Sequence, residues 1–255
     1  MKGMKILLLF FILGGLVGCK EPELPKVLVT HTTDTILDET IYETEVHTFV
    51  TNVEGPKVAI VGGIHGDEIA GWDVGLQLLD YDFQKGSYLI IPRANIVAAQ
   101  LGLRYPGQGS QGWYQDVKYS DLNRIFPGRS DGNPTEVIAD AIINQIEAFD
   151  PDYIIDLHES RDSYTGGYLG DSVIYNNVKT SLFALEMVEE MNANHLSTGD
   201  TIFRVDNSAP EGSFNNYCSA HFDAYVMTFE TNRKLDLSKR IAQQLALIQI
   251  LFNRI

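Results

Sequence analysis

The hydrophobic pattern of this chain switches between two periods. Residues 41–50 alternate loosely and are rich in β-branched side chains, the signature of an outer strand. Residues 58–61 (Val-Ala-Ile-Val) are apolar without a break, as expected of a short strand buried on both faces. The same holds for 88–91, stopped by Pro92, and for 153–157 and 225–229, with a further strand expected over 173–175. Between these runs the period lengthens to that of a helix, over 68–79, 134–149, 181–192 and 237–252. The second of these helices is the best delimited. Asn133 suits its N-cap, Pro134 suits its first position, and Ile138, Ile142 and Ile146 centre an apolar stripe that Pro151 closes. Strands that alternate with helices predict an α/β domain on a sheet that is at least partly parallel. Residues 101–133 carry neither period and are heavy in Gly, Tyr, Gln and Asp. A stretch of that length inside a compact domain is usually functional or poorly ordered.

The first residues stand apart from that domain. Lys2 and Lys5 precede an apolar run from Ile6 to Val17, too short for a comfortable membrane span, which ends Leu16-Val17-Gly18-Cys19. A basic start, a short apolar core and a small residue at the cut describe an export signal. The last four residues also resemble the lipobox of bacterial lipoproteins. By that resemblance Cys19 becomes the lipidated first residue of an exported protein held on a membrane surface, its acyl chains burying enough methylenes to anchor a soluble domain. The alternative is an ordinary signal peptide whose cut contains a cysteine. The expected organisation is a signal peptide over 1–18, a tether over 19–26 and one globular domain over 27–255. The formal charge of −15 excludes a basic nucleic-acid footprint. It does not exclude an anionic substrate, because a few arginines and a metal set the potential inside a cleft. Cys218 is the only other cysteine, so the core must hold without a disulfide framework.

Polar residues with chemical potential follow the buried runs, where sites of open α/β sheets form. Gly62-Gly63-Ile64-His65-Gly66-Asp67-Glu68 comes directly after 58–61. Its His and Glu turn toward one cation only if the backbone bends sharply, which glycine permits. His158 follows 153–157. Two imidazoles and one carboxylate leave a fourth position for water, the composition of a catalytic rather than a structural zinc site. Singly, each has a plainer role as a core or surface histidine, or as a glutamate serving the helix dipole. His31, His47, His195 and His221 follow no buried run, whereas Arg93 does. Glu230 ends 225–229 and suits a general base, with an ion pair to Arg233 as its competing role. Asn123 and Arg124 offer a directional donor and a planar fork for a carboxylate, or simply fix the loop. Arg104 could place positive charge beside an oxyanion, and Arg161 is either a second anion contact or an exposed loop residue. Tyr105, Trp113, Tyr114 and Tyr119 either wall a pocket or cover the site.

His-x-x-Glu, then Asp-Leu-Asn-Arg, then Asp-Leu-His, then Phe-Glu-Thr resembles the zinc carboxypeptidase superfamily, most closely its succinylglutamate desuccinylase and aspartoacylase branch. The resemblance covers residues 58–233. It implies an α/β fold with a mixed, largely parallel twisted sheet flanked by helices. It implies one zinc ion on His65, Glu68 and His158, with Glu230 as catalytic base and Arg104 on the oxyanion. Asn123 and Arg124 would grip the substrate carboxylate. The expected reaction is hydrolysis of an amide bond beside a free carboxylate, in an N-acyl amino acid or a peptide. Export favours a stem peptide of the cell wall. A surface lipoprotein that binds a solute without turnover is the non-enzyme alternative. Residues 212–217 resemble the segment that lines the substrate pocket of digestive carboxypeptidases. Three departures stand out. Asp67 replaces an arginine of the digestive enzymes, Ser208 falls where their capping tyrosine would be, and Arg104 lies farther before Asn123 than its counterpart in aspartoacylases.

Overall fold

The computed structural model describes residues 26–106 and 121–255, so the export signal, Cys19, Trp113, Tyr114 and Tyr119 lie outside the described residues. Eight strands form one sheet: β1 (Val29–Ile36), β2 (Thr44–Thr51), β3 (Lys57–Gly62), β4 (Ser87–Ile91), β5 (Tyr153–Ser160), β6 (Ser172–Ile174), β7 (Arg204–Asp206) and β8 (Tyr225–Asn232). Their order across the sheet is β1-β2-β4-β3-β5-β8-β6-β7. The central pairs β4–β3, β3–β5 and β5–β8 are parallel, as is β7 on β6. Antiparallel pairs β1–β2, β2–β4 and β6–β8 flank that centre. The sheet is therefore mixed, with the parallel strands where the sequence runs are unbroken.

Those unbroken runs have a direct cause, since both faces of the central strands are covered. Ile60, Ile155 and Met227 pack against Val74 of α1 (Ile69–Gln77), Met187 of α4 (Val178–Asn194) and Leu247 of α6 (Leu237–Arg254). Their strand neighbours Ala59, Val61, Ile154 and Val226 face the other way. They meet Ile138 and Ile142 of α3 (Pro134–Phe149) and Phe214 of α5 (Phe214–His221). The period of two along a strand sends alternate side chains into two separate cores. Asn133 and Glu136 form a reciprocal capping box at the start of α3, as its sequence predicts. Among the described residues no helix is long and apolar enough to cross a membrane.

Several elements differ from the sequence expectation. β1 has no apolar face to detect, with seven of its eight residues exposed, and is held by backbone pairing to β2. β2 lies at Thr44–Thr51 rather than 41–50. β7 is three residues long, too short to show a period, and α5 and the short α2 (Ile96–Leu101) sit in stretches without a clear stripe. β5 and β8 continue to Ser160 and Asn232, so His158 and Glu230 lie inside strands rather than after them. Buried polar residues interrupt the apolar run there without ending the strand. Glu68 is the N-cap of α1 and not its first residue.

The turn from β3 to α1 depends on two glycines. Gly63 has φ +71°, the left-handed region. Gly66 is wedged against α2: a Cβ there would stand 2.0 Å from the Ala98 carbonyl carbon. Its N–H donates to the Arg104 carbonyl at 3.2 Å and its carbonyl accepts from Trp72 Nε1 at 3.1 Å. Gly66→Ala is therefore expected to destabilise the fold by about 1–3 kcal/mol through overpacking. The check is the denaturant midpoint at unchanged slope, and an unaltered midpoint would show that α2 yields freely.

Candidate metal centre and active site

The β3–α1 turn delivers His65 and Glu68, and β5 delivers His158. Glu230 sits directly across from His158 in the β5–β8 register. His65 Nδ1 lies 3.1 Å from His158 Nδ1 and 3.0 Å from Glu68 Oε1, and His158 Nδ1 lies 2.7 Å from Glu68 Oε2. All three side chains are buried. Lone pairs this close require positive charge among them, as shared protons or a cation. A tetrahedral ion with bonds of about 2.0–2.1 Å holds its donors about 3.3 Å apart, close to the spacing found.

The outer edges of both imidazoles meet carboxylates. His65 Nε2 is 3.1 Å from Asp121 Oδ1, and His158 Nε2 is 3.0 Å from Asp156 Oδ1. At His65 the Asp121 carboxylate keeps the proton on the far nitrogen and leaves Nδ1 as a lone pair, the usual arrangement of a metal-ligating histidine, whereas Asp156 sets negative charge beside His158 Nε2 without hydrogen-bond geometry. The donor set thus fits a small divalent cation, with His65, Glu68 and His158 as its three protein ligands. Sequence inspection missed Asp121 and Asp156 as partners, although each stands two residues before a residue that it did select. Asp156 and His158 share one face of β5 for that reason.

Charge at this centre is tightly coupled. Burial would raise Glu68, but His65 and His158 hold it well below the ordinary carboxylate range. Burial would also raise Asp121, yet its contact with His65, aided by Arg104 and Arg124, holds it at about 2. Burial would lower His158, and the Asp156 and Glu68 carboxylates reverse that, raising it well above the usual imidazole value. Glu230 behaves oppositely. Burial, reinforced by Glu68 and Asp156, pushes it up to about 8 against the pull of His158 and Arg104. Its Oε2 is buried without a hydrogen-bond partner. The competing ion pair is absent, because Arg233 is bound to Asp67 at 2.8 Å.

These residues line a cleft of about 550 Å³. Arg104 reaches the centre and donates from Nη1 to Glu68 Oε1 at 2.7 Å. The Asn123 Oδ1 is spent on bracing: it accepts the Phe214 N–H at 2.9 Å, at the start of α5. Arg124 and Arg161 are exposed cleft residues, Arg124 donating to the Asn123 carbonyl at 2.6 Å. The 212–217 segment does reach the cleft. Ser213 and Asn215 line it, and Asn215 Nδ2 donates to Thr228 Oγ1 at 3.0 Å. Tyr168 and Leu169, from the loop after β5, form a wall that no sequence period marked. Tyr105 is half-buried and outside the lining, Arg93 lines a separate small hollow with Glu43 and Glu45, and exposed Ser208 bonds to Asp206.

Over 116 residues the chain is 35% identical to the N-alpha-acetyl-L-2,4-diaminobutyric acid deacetylase of Halomonas elongata, a match that covers 44% of this chain and 30% of the deacetylase. Among solved structures, the mDAP-bound form of Helicobacter pylori Csd4, a D,L-carboxypeptidase, superposes with a TM-score of 0.66 at 20% identity, covering 78% of this chain and 50% of Csd4. An aspartoacylase family protein from Mesorhizobium loti gives 0.60 at 22% identity, covering 90% of this chain and 68% of that one. These two likenesses show the fold. The match to the succinylglutamate desuccinylase/aspartoacylase catalytic domain extends over residues 54–254, and the chain belongs to that family.

Proposed function

We propose that the protein is a zinc-dependent hydrolase of an amide bond next to a free carboxylate, acting on an N-acyl amino acid or a short peptide. One observation carries this most: both imidazoles turn Nδ1 toward Glu68 while their Nε2 edges rest on Asp121 and Asp156. Zinc, held by His65, Glu68 and His158, would supply a Lewis acid that polarises a carbonyl and acidifies a water. Glu230, buried and unpaired beside the centre, takes a proton from the attacking water and returns it to the leaving nitrogen. Its raised proton affinity suits a group that must hold that proton between the two steps. Arg104 brings a guanidinium to the same centre, where negative charge grows on the carbonyl oxygen. Arg124 and Arg161 offer planar forks at the exposed part of the cleft for the substrate carboxylate. Asn123 shapes that end by holding the start of α5 through its Oδ1.

The cleft volume lies in the small-molecule range, about 300–1,000 Å³. It suits an acyl amino acid or the end of a peptide. The similar deacetylase is named for an N-acetylated diamino acid, and Csd4 for D,L-carboxypeptidase action. Export and lipidation at Cys19, if present as the lipobox resemblance implies, would hold the domain on the membrane surface of the cell envelope. A stem peptide of the cell wall is then the alternative substrate. A binding lipoprotein without turnover is the remaining alternative, and Glu230 distinguishes it.

Glu230→Gln is expected to retain one zinc per chain and to lose hydrolysis by about 100-fold or more; full activity in that variant would remove Glu230 from the chemistry. In His65→Ala/His158→Ala the zinc content measured by elemental analysis is expected to fall close to zero, and undiminished zinc would refute the ligand set. Arg124→Ala, and separately methylation of the substrate's carboxylate, should each lower kcat/KM by about 10–100-fold, because a hydrogen bond to a charged group contributes about 1.5–3 kcal/mol. Indifference to both changes would show that the carboxylate is not recognised there.

A further inference from the structure

The helix that follows Glu230 in sequence grips the catalytic centre from behind the cleft. α6 carries Arg240 and Gln244 one turn apart, on the side that meets the sheet. Arg240 forms an ion pair with Glu159, the residue after His158. The second oxygen of Glu159 accepts the Ala70 N–H at 3.0 Å, in the first turn of α1, two residues after Glu68. Gln244 is fully buried and donates from Nε2 twice, to the His158 carbonyl at 2.8 Å and to Thr231 Oγ1 at 3.1 Å. A carbonyl only accepts, so the amide nitrogen must be the group that stands there. One side chain therefore bridges β5 at His158 and β8 at the residue after Glu230.

Its neighbour provides the contrast. Gln243 sits on the same helix and is also buried, yet neither of its amide atoms has a partner among the described residues. Burial of a glutamine on α6 thus does not by itself produce strand contacts.

We propose that Gln244 is a positioning residue. It fixes the peptide plane of His158 and the end of β8 together, so that the His158 Nδ1 lone pair and the Glu230 carboxylate keep one relative placement. This builds on the assignment of His158 as a metal ligand and Glu230 as the base. Partners that orient a ligand from outside are worth about 10–100-fold in metal affinity or activity.

The test compares Gln244→Met, Gln243→Met and Thr231→Val in the full chain. Zinc affinity is measured on the metal-free protein by competition with a chromophoric chelator, and kcat and KM on the zinc-loaded protein. Gln244→Met is expected to lose about tenfold in zinc affinity and about tenfold in kcat, with KM within twofold of wild type. Gln243→Met should match wild type in all three. Thr231→Val removes only the β8 arm, so kcat should fall while zinc affinity holds, and this variant decides the matter if Gln244→Met fails to fold. Equal behaviour of the two glutamine variants, or wild-type values in both Gln244→Met and Thr231→Val, would overturn the role of Gln244. A wild-type protein that binds no zinc would instead overturn the underlying metal assignment.

Discussion

The buried carboxylate of Glu68 is the constraint on which the rest of the centre depends. It is almost wholly removed from solvent, a state that costs several kcal/mol for an unpaired ion. Two donors, Arg104 and the Glu159 N–H, and the two imidazoles converge on it. His65 and Arg104 approach Oε1, while His158 and the Glu159 N–H approach Oε2. These partners come from three places in the chain: the β3–α1 turn, the segment after α2, and two successive residues of β5. Placing Glu68 therefore fixes how α1 meets β5 and how Arg104 enters the cleft. The glycine at position 66 belongs to the same constraint, since only a residue without Cβ lets α2 lie close enough to bring Arg104 in.

Against that background the isolation of Glu230 has meaning. Glu159 is equally buried, but Arg240 and the Ala70 N–H satisfy it. Asp121 and Asp156 each face an imidazole. Glu230 keeps a buried oxygen without a hydrogen-bond partner, as Asp156 does at Oδ1, and burial raises its proton affinity to about 8. Orphaned polar atoms are expensive in a stable core, and they cluster where a group must exchange protons or ligands. The chain is acidic overall, yet Arg104, Arg124 and Arg161 all reach this cleft. Local cation placement, not net charge, sets what an anionic substrate would meet.

Much of this was legible in the sequence, for a physical reason. Strands covered on both faces must be apolar throughout, so β3, β4, β5 and β8 announce themselves, and the polar residues that break their ends are conspicuous. His65, Glu68, His158 and Glu230 were accessible in that way. What stayed hidden depends on tertiary partners rather than on period. β1 pairs through its backbone and has no buried face, while β7 is too short to carry a pattern. Gln244 is one of two adjacent glutamines on α6, and nothing in the sequence distinguishes the one that grips two strands from the one that grips none. The aromatic residues expected near the site are only partly placed. Tyr105 is half-buried away from the cleft lining, and Tyr168, which carries no sequence mark, forms part of the wall.

Asp67 shows how a departure from a family resemblance is resolved by geometry. Where the digestive enzymes carry an arginine, this chain has a carboxylate between two metal-ligand candidates, which reads at first as a change in substrate contact. In the structure its partner is Arg233 at 2.8 Å, three residues beyond Glu230. Both side chains are about a quarter exposed or less, so the pair contributes at most about 1 kcal/mol. Its consequence lies in what it connects. It joins the turn that presents His65 and Glu68 to the end of the strand that presents Glu230, while Gln244 bridges β5 and β8 and Arg240 ties α6 to β5. The same pair engages Arg233, the partner that the sequence offered for Glu230. The carboxylate at position 67 therefore serves an ion pair that ties the turn of His65 and Glu68 to the end of β8.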